Sequence, residues 1–185
     1  MRFVLFPVLL ALLIVPAAVH ATTVRYLDLE GLVRSSSMVF HATVLEVTQK
    51  NLGTPEKLRL VTDVSFQVHR VLQGTNPGPR FDLRLGGGTA NGHTLAIPGQ
   101  PCFKEGEEVV LFLEFTGQEL VVNGMSQGVF RIQRDPAGLP TAHRDTTGLS
   151  VLGREGGNGP LEPGKPEQPL PLDDLFRRIH DLQAR

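Results

Sequence analysis

Five consecutive apolar residues, Val109-Val110-Leu111-Phe112-Leu113, leave no polar face on the segment Glu108–Phe115. A strand of that composition must be covered on both sides, so it predicts a central strand with a packed layer above and below. The stretches around it alternate instead. In Leu58–Leu72, Val64, Phe66 and Val68 point one way and Asp63, Ser65, Gln67 and His69 the other. Phe81, Leu83 and Leu85 alternate with Asp82 and Arg84, and Phe130 and Ile132 point inward within Gln127–Arg134. The chain is therefore expected to be mainly β and antiparallel, built around Glu108–Phe115.

Met38–Thr48 is rich in β-branched residues, but its pattern changes phase. Phe40, Ala42 and Val44 share one face, and Leu45 and Val47 take the other. A switch of that kind predicts a bulged, bent strand. Short extended pieces are expected at Thr94–Ile97 and Glu119–Asn123, with a last edge strand at Thr141–Arg144. Polar turns are expected at Gln49–Glu56, Gln73–Pro79 and Lys104–Glu107. Gly86-Gly87-Gly88 lacks the Lys-Ser/Thr that a phosphate loop needs, so it predicts a turn or a close backbone contact.

Two helices are expected. Tyr26–Ser37 carries Leu29, Leu32 and Val33 on one stripe, with Asp28 placed to cap it. Leu172–Gln183 carries Leu172, Leu175, Phe176, Ile179 and Leu182 on one face. Asp173 and Asp174 at its start and Arg185 at its end suit the helix dipole. That stripe must dock, either on the chain's own sheet or on a partner. Gly153–Pro171 shifts to Gly, Pro and charge and is expected to be a solvated linker without packed structure.

The opening residues set an address. Arg2 gives a positive start, Val4–Val15 is apolar apart from Pro7, and Val19-His20-Ala21 suits a cleavage site. The run is too short for a comfortable span of about 20 residues. The expected organisation is a signal peptide over 1–21, a β-barrel domain over 22–152, a linker over 153–171 and a C-terminal helix over 172–185. The mature chain is expected to be secreted or periplasmic, without an integral membrane span.

Eighteen Lys and Arg face 19 Asp and Glu, and Arg2 is lost with the leader. No basic stripe is present, so no nucleic-acid partner is expected. Cys102 stands alone, which rules out an intrachain disulfide in an exported chain. It could be a small buried residue, an intermolecular link or a nucleophile.

No catalytic, cofactor-binding or metal-binding residue is assigned. His41, His69, His93, His143 and His180 show no i, i+2 or i, i+4 spacing suited to a metal, although folding could still gather them. Asp63, Ser65 and His69 share a strand face, but Ser65 and His69 lie roughly 13 Å apart along a strand, too far for a nucleophile and its base. His143-Arg144-Asp145 spells a kinase tripeptide without the other kinase motifs. Glu105, Glu107 and Glu108 read as a charged turn. The chain has no Trp and one tyrosine, Tyr26, so it is poor in stacking platforms for sugars.

Several segments resemble, in the same order, a widespread and uncharacterised group of exported bacterial proteins. They are Leu27-Asp28-Leu29-Glu30-Gly31-Leu32-Val33, Val61-Thr62-Asp63-Val64 leading into Val71-Leu72-Gln73-Gly74, Gly86-Gly87-Gly88, Phe103-Lys104-Glu105-Gly106-Glu107-Glu108 with the apolar strand after it, and Gly124-Met125-Ser126-Gln127-Gly128. The resemblance implies an OB-like antiparallel barrel, similar to the inhibitor domain of tissue inhibitors of metalloproteinases (TIMP/NTR-like). Those inhibitors use an N-terminal cysteine, whereas the mature start here is expected at Thr22. The functional expectation is an exported, non-catalytic module that binds an exported protein or tunes an exported peptidase. The alternatives are a hydrolase with a dispersed active site and a structural envelope component.

Overall fold

The computed structural model describes residues 22–54, 56–153 and 160–184. The expected signal peptide Met1–Ala21, Pro55 of the expected turn, the linker residues 154–159 and Arg185 lie outside the described residues.

In chain order the elements begin with β1 (Thr22–Arg25) and α1 (Leu29–Ser35). The Asp28 side chain caps α1 by accepting from Gly31 N–H at 2.7 Å. Four strands follow: β2 (Met38–Asn51), β3 (Leu60–Gln73), β4 (Arg80–Gly86) and β5 (Gly88–Ala90). Next come β6 (His93–Leu95), β7 (Glu108–Thr116), β8 (Glu119–Val122) and a 3-10 turn at Met125–Gly128. The chain continues through β9 (Val129–Arg134), β10 (Pro140–Arg144), β11 (Leu149–Leu152), β12 (Leu161–Pro163) and β13 (Leu170–Pro171). It ends with α2 (Leu172–Gln183).

The main sheet is antiparallel and runs in the order β13-β10-β9-β7-β2-β3-β4, with β8 paired to β7 off this path. β7 is central and covered on both sides. Val109, Leu111 and Leu113 pack with Phe40, Val64, Phe66 and Leu83 in one core. Val110 and Phe112 pack into a second core with Leu32 and Val33 of α1 and Leu172, Leu175 and Ile179 of α2. The C-terminal stripe therefore docks on its own sheet. Three of its aliphatic side chains are buried, and each contributes roughly 1.5–3 kcal/mol.

The phase change in β2 is a bulge with one identifiable extra residue. Val44 pairs with Phe66 and Glu46 with Ser65, so Leu45 has no partner and is 43% exposed. Skipping one residue returns Val47 to the face of Val44, where it packs on the first core. Leu45 and Val47 therefore do not share a face as simple alternation predicts. The bulge bends β2 so that its first half pairs with β7 and its second half with β3 alone.

The expectation of a mainly β, antiparallel fold stands in that coarser form, and two others need correction. A closed barrel is not found among the described residues: the sheet path is open and ends at β4 and β13. Pro140–Arg144 is neither last nor an edge, because it lies between β9 and β13. The expected linker is paired at several points where it is described, although most of its side chains there are exposed. Leu161–Pro163 pairs with β11, Leu170 and Pro171 pair with β10, and Lys165 bonds both ways with Thr146. Pro and Gly there do not prevent pairing, because Pro163 and Pro171 sit at strand ends that need few donors.

The triple glycine marks a close backbone approach. Gly87 has φ +83°, and a Cβ there would lie 2.7 Å from Leu95 O; Thr62 Oγ1 donates to Gly87 O at 2.9 Å. The β5–β6 hairpin is thereby folded against the end of β4, with Leu95 and Ile97 left 48% and 37% exposed.

Candidate functional site: an open seam between two strand edges

β4 ends the sheet, and β8 runs beside it without pairing. Two backbone bonds at the ends of the β3–β4 ladder, Val68 N–H to Pro79 O and Gly87 N–H to Leu60 O, both 2.9 Å, fix its alternation. Phe81, Leu83 and Leu85 turn their peptide groups to β3. Asp82, Arg84 and Gly86 turn theirs to the free edge. The same reasoning applies to β8. Asn123 N–H donates to Phe112 O at 2.9 Å, so Glu119 and Val121 face β7, and Leu120 and Val122 present their peptide groups outward.

Between these edges lie two clefts, of about 580 Å³ and about 370 Å³. Both are lined by Arg84, Leu85, Gly86 and Glu119, so they are sections of one groove. Its floor is apolar and continuous with the first core through Leu83, Leu85 and Leu120. Leu58, Leu95 and Ile97 extend that apolar surface at one end. Phe115, cross-strand from Leu120, is 60% exposed at the tip of the β7–β8 hairpin.

The outer lip is charged. Arg84 forks onto Asp63 at 2.7 and 3.0 Å, and Lys50 pairs with the same carboxylate. The Arg84 hydrogen bonds, helped by Lys50, hold the pKa of Asp63 down at about 2. Asp82 accepts from Ser65 Oγ at 2.5 Å, and this bond together with Arg80 holds its carboxyl below the usual carboxylate range. Asp63 and Ser65 therefore serve a surface lattice of ion pairs across β2, β3 and β4. Neither is in hydrogen-bond contact with His69, whose Nε2 lies 2.7 Å from Thr43 Oγ1.

Folding does gather two histidines that spacing keeps apart. The rings of His41 and His69, on adjacent strands, have centroids 5.2 Å apart, and His41 Nε2 lies 2.7 Å from Glu108 Oε1. Phe176 of α2 covers His41 at 5.5 Å, and Arg70 stacks on Phe176. Burial lowers the His41 pKa, against the pull of Glu108. Among the described residues no group of three or more His, Cys, Asp or Glu is arranged to hold a metal ion.

His93 is exposed on β6, His143 bonds Thr141 Oγ1 at 2.9 Å, and His180 lies exposed on α2. The Cys102 thiol is exposed, which removes the reading as a small buried residue. Its carbonyl accepts from Arg131 at 2.6 Å. Glu107 Oε2 accepts from Lys104 N–H, as a charged turn should. Arg144, within the kinase-like tripeptide, is a buried tie: it donates to Gln127 O and Leu27 O and pairs with Glu167 at 3.3 Å.

The seam is not legible from spacing. Its one sequence signal is that Phe81–Leu85 alternates like a half-buried strand while the next extended pieces are too short to flank it. No helix among the described residues is long and apolar enough to cross a membrane. Comparison with known proteins finds no matching family model, no matching curated protein and no matching solved structure.

Proposed function

We propose that this is an exported, non-catalytic protein-binding module that grips an extended segment of another exported protein in the seam between β4 and β8. Tuning of an exported peptidase is one use of such a grip. The observation that carries this reading is that two unpaired strand edges face each other across an apolar groove. Strand edges of that kind are templates for an added strand, with main-chain bonds giving affinity and alternate side chains entering pockets. The reading as an OB-like barrel fits the same observation, as a curved sheet whose last closure between β4 and β8 is left to the ligand. The leader-like run at Val4–Val15 supports export.

A hydrolase has less support. Of the acidic groups with lowered pKa, Asp63 and Asp82 are tied to Arg84, Arg80, Lys50 and Ser65 on the outer surface, Glu56 is lowered by Thr54 in an exposed turn, and the shifted histidine, His41, lies elsewhere under α2.

Selection of extended peptides against the full chain tests the proposal, with hydrogen exchange as the readout. Bound peptides should slow exchange at the amides of Asp82, Arg84, Gly86, Leu120 and Val122, which face the groove. Asp82→Pro removes one outward donor without touching the β3 ladder, and should abolish binding while leaving the fold intact. Protection confined to other elements, or unchanged binding by the proline variant, would overturn the reading.

A further inference from the structure

The seam reading leaves open which extended segment fits, and the charges around the groove address that; the inference rests on that reading. A strand lying between β4 and β8 must alternate. Every second side chain enters the floor formed by Leu83, Leu85, Leu120 and Val122. The others stand on the outer lip beside the outward side chains of the flanking strands. On β4 these are Asp82 and Arg84, which lie opposite Ser65 and Asp63 of β3. On the other side they are Glu119 of β8 and Glu114 of β7, paired with Thr116 and Val121.

Arg59 lines the larger cleft and is in no ion pair among the described residues, but it does not line the smaller one beside Glu114 and Glu119; the other cations near the groove are committed. Arg84 is held by both oxygens of Asp63, and Lys50 by the same group. Arg80 is shared among Ser65, Asp82 and Glu46. Glu114 and Glu119 are in no ion pair among the described residues, although both line the same cleft as Arg84. Arg84, forked on Asp63, also attracts Glu119 without a direct ion pair, and the lip over which the outward side chains of a bound strand would stand stays acidic on the β8 side, where Glu114 and Glu119 outnumber it.

We propose that the seam selects an extended segment in which apolar residues alternate with lysine or arginine. Apolar residues fill the floor, basic residues stand over Glu114 and Glu119, and the main chain bonds to the free peptide groups of both edges. Because parts of β4 and β8 approach within 8 Å, less than the roughly 9.6 Å of two strand spacings, entry moves the β7–β8 hairpin outward. Among the described residues β8 has no strand partner other than β7, so the two strands would move together as a hairpin.

The test compares two labelled nonapeptides, alternating Val–Lys and alternating Val–Glu, by fluorescence anisotropy against the full chain at low and high salt. The Val–Lys peptide should bind about tenfold more tightly at low salt, and the gap should close at about 1 M salt, where charges are screened beyond roughly 3 Å. Glu114→Lys together with Glu119→Lys should reverse the order. A melting temperature close to that of the parent confirms that this variant folds. Equal binding of both peptides, tighter binding of Val–Glu, or no reversal overturns the charge preference and leaves the seam reading standing. Binding of neither peptide, or a concentration-dependent dimer that closes the seam with a second copy, overturns both.

Discussion

Asp63 and Arg84 sit directly opposite each other on β3 and β4, and the guanidinium meets both carboxylate oxygens, at 2.7 and 3.0 Å. The arrangement pins the outer face of the edge strand while leaving the peptide groups of Arg84 turned the other way. Arg84 thus fastens β4 to β3 by its side chain and offers the opposite edge by its backbone.

That pair sets an acid limit. Its carboxyl titrates at about 2 in the folded chain, held down by Arg84 and Lys50, against roughly 3.9 when unfolded. A depressed pKa means the contribution is complete above about 4 and is lost as pH falls through about 2. Asp63→Asn should flatten the acid arm of a melting-temperature profile in that window. At neutral pH it should cost under about 1 kcal/mol, because the partners are solvent-exposed. Parallel acid arms in the two proteins would contradict this.

His41 has its effect at milder pH. Burial lowers its pKa from 6.5, His69 and Arg70 add to the lowering, and Glu108 opposes it. The unfolded chain therefore takes up the proton first, and stability declines as pH drops below about 6.5. Denaturation midpoints at pH 7.5 and 5.5 should differ by less in His41→Gln than in the parent. Since Phe176 rests on this ring, exchange protection in α2 should fall first.

Leu175 and Ile179 are the anchors of α2, at 0% and 1% exposure. Leu175→Ala should cost about 2–5 kcal/mol in urea unfolding. Amide protection across Leu172–Gln183 should be lost ahead of that in β7. An exposed residue of the same helix, Arg178→Ala, should change stability by less than about 0.5 kcal/mol.

Arg144 ties four segments: the peptide after β1, the 3-10 turn, β10 and the stretch before β13. Its side chain is 2% exposed, and it lies over the Tyr26 and Phe130 rings. Arg144→Met strands the Gln127 and Leu27 carbonyls and removes the cation that Glu167 pairs with. The expected loss is about 3–5 kcal/mol, read as a lower denaturation midpoint. A near-neutral effect would show that the tie is dispensable.

Periodicity makes some elements plain and hides others for physical reasons. Val109–Leu113 announces a doubly covered strand because a strand apolar on both faces is stable only when both are kept from water. The α2 stripe from Leu172 to Leu182 announces a helix, though only the structure shows that it covers Val110 and Phe112. The phase switch in Met38–Thr48 points to a bulge, but the return of Val47 to the core face needs the register. Gly153–Pro171 misleads because composition reports propensity and not partners: Lys165 and Glu167 are fixed by Thr146 and Arg144, which no local pattern reveals. The His41–His69 contact is invisible for the same reason, since it depends on which residues of β2 and β3 stand opposite each other. The seam is a relation between two strands that fail to pair, and the alternation of Phe81–Leu85 beside short extended pieces is the one mark of it in the linear pattern.

β1 lies parallel to β11, with Thr22 opposite Leu149 and Arg25 opposite Leu152, and among the described residues it has no other strand partner. A parallel contact between such distant parts of the chain must be closed across most of its length, and such closures are slow. The first of these strands to be synthesised is thus among the last to find its place. Until β11 arrives, Thr22–Arg25 has no strand to pair with, and among the described residues only the bonds of Thr22 to Pro98 O and of Gln127 to Arg25 O can place it.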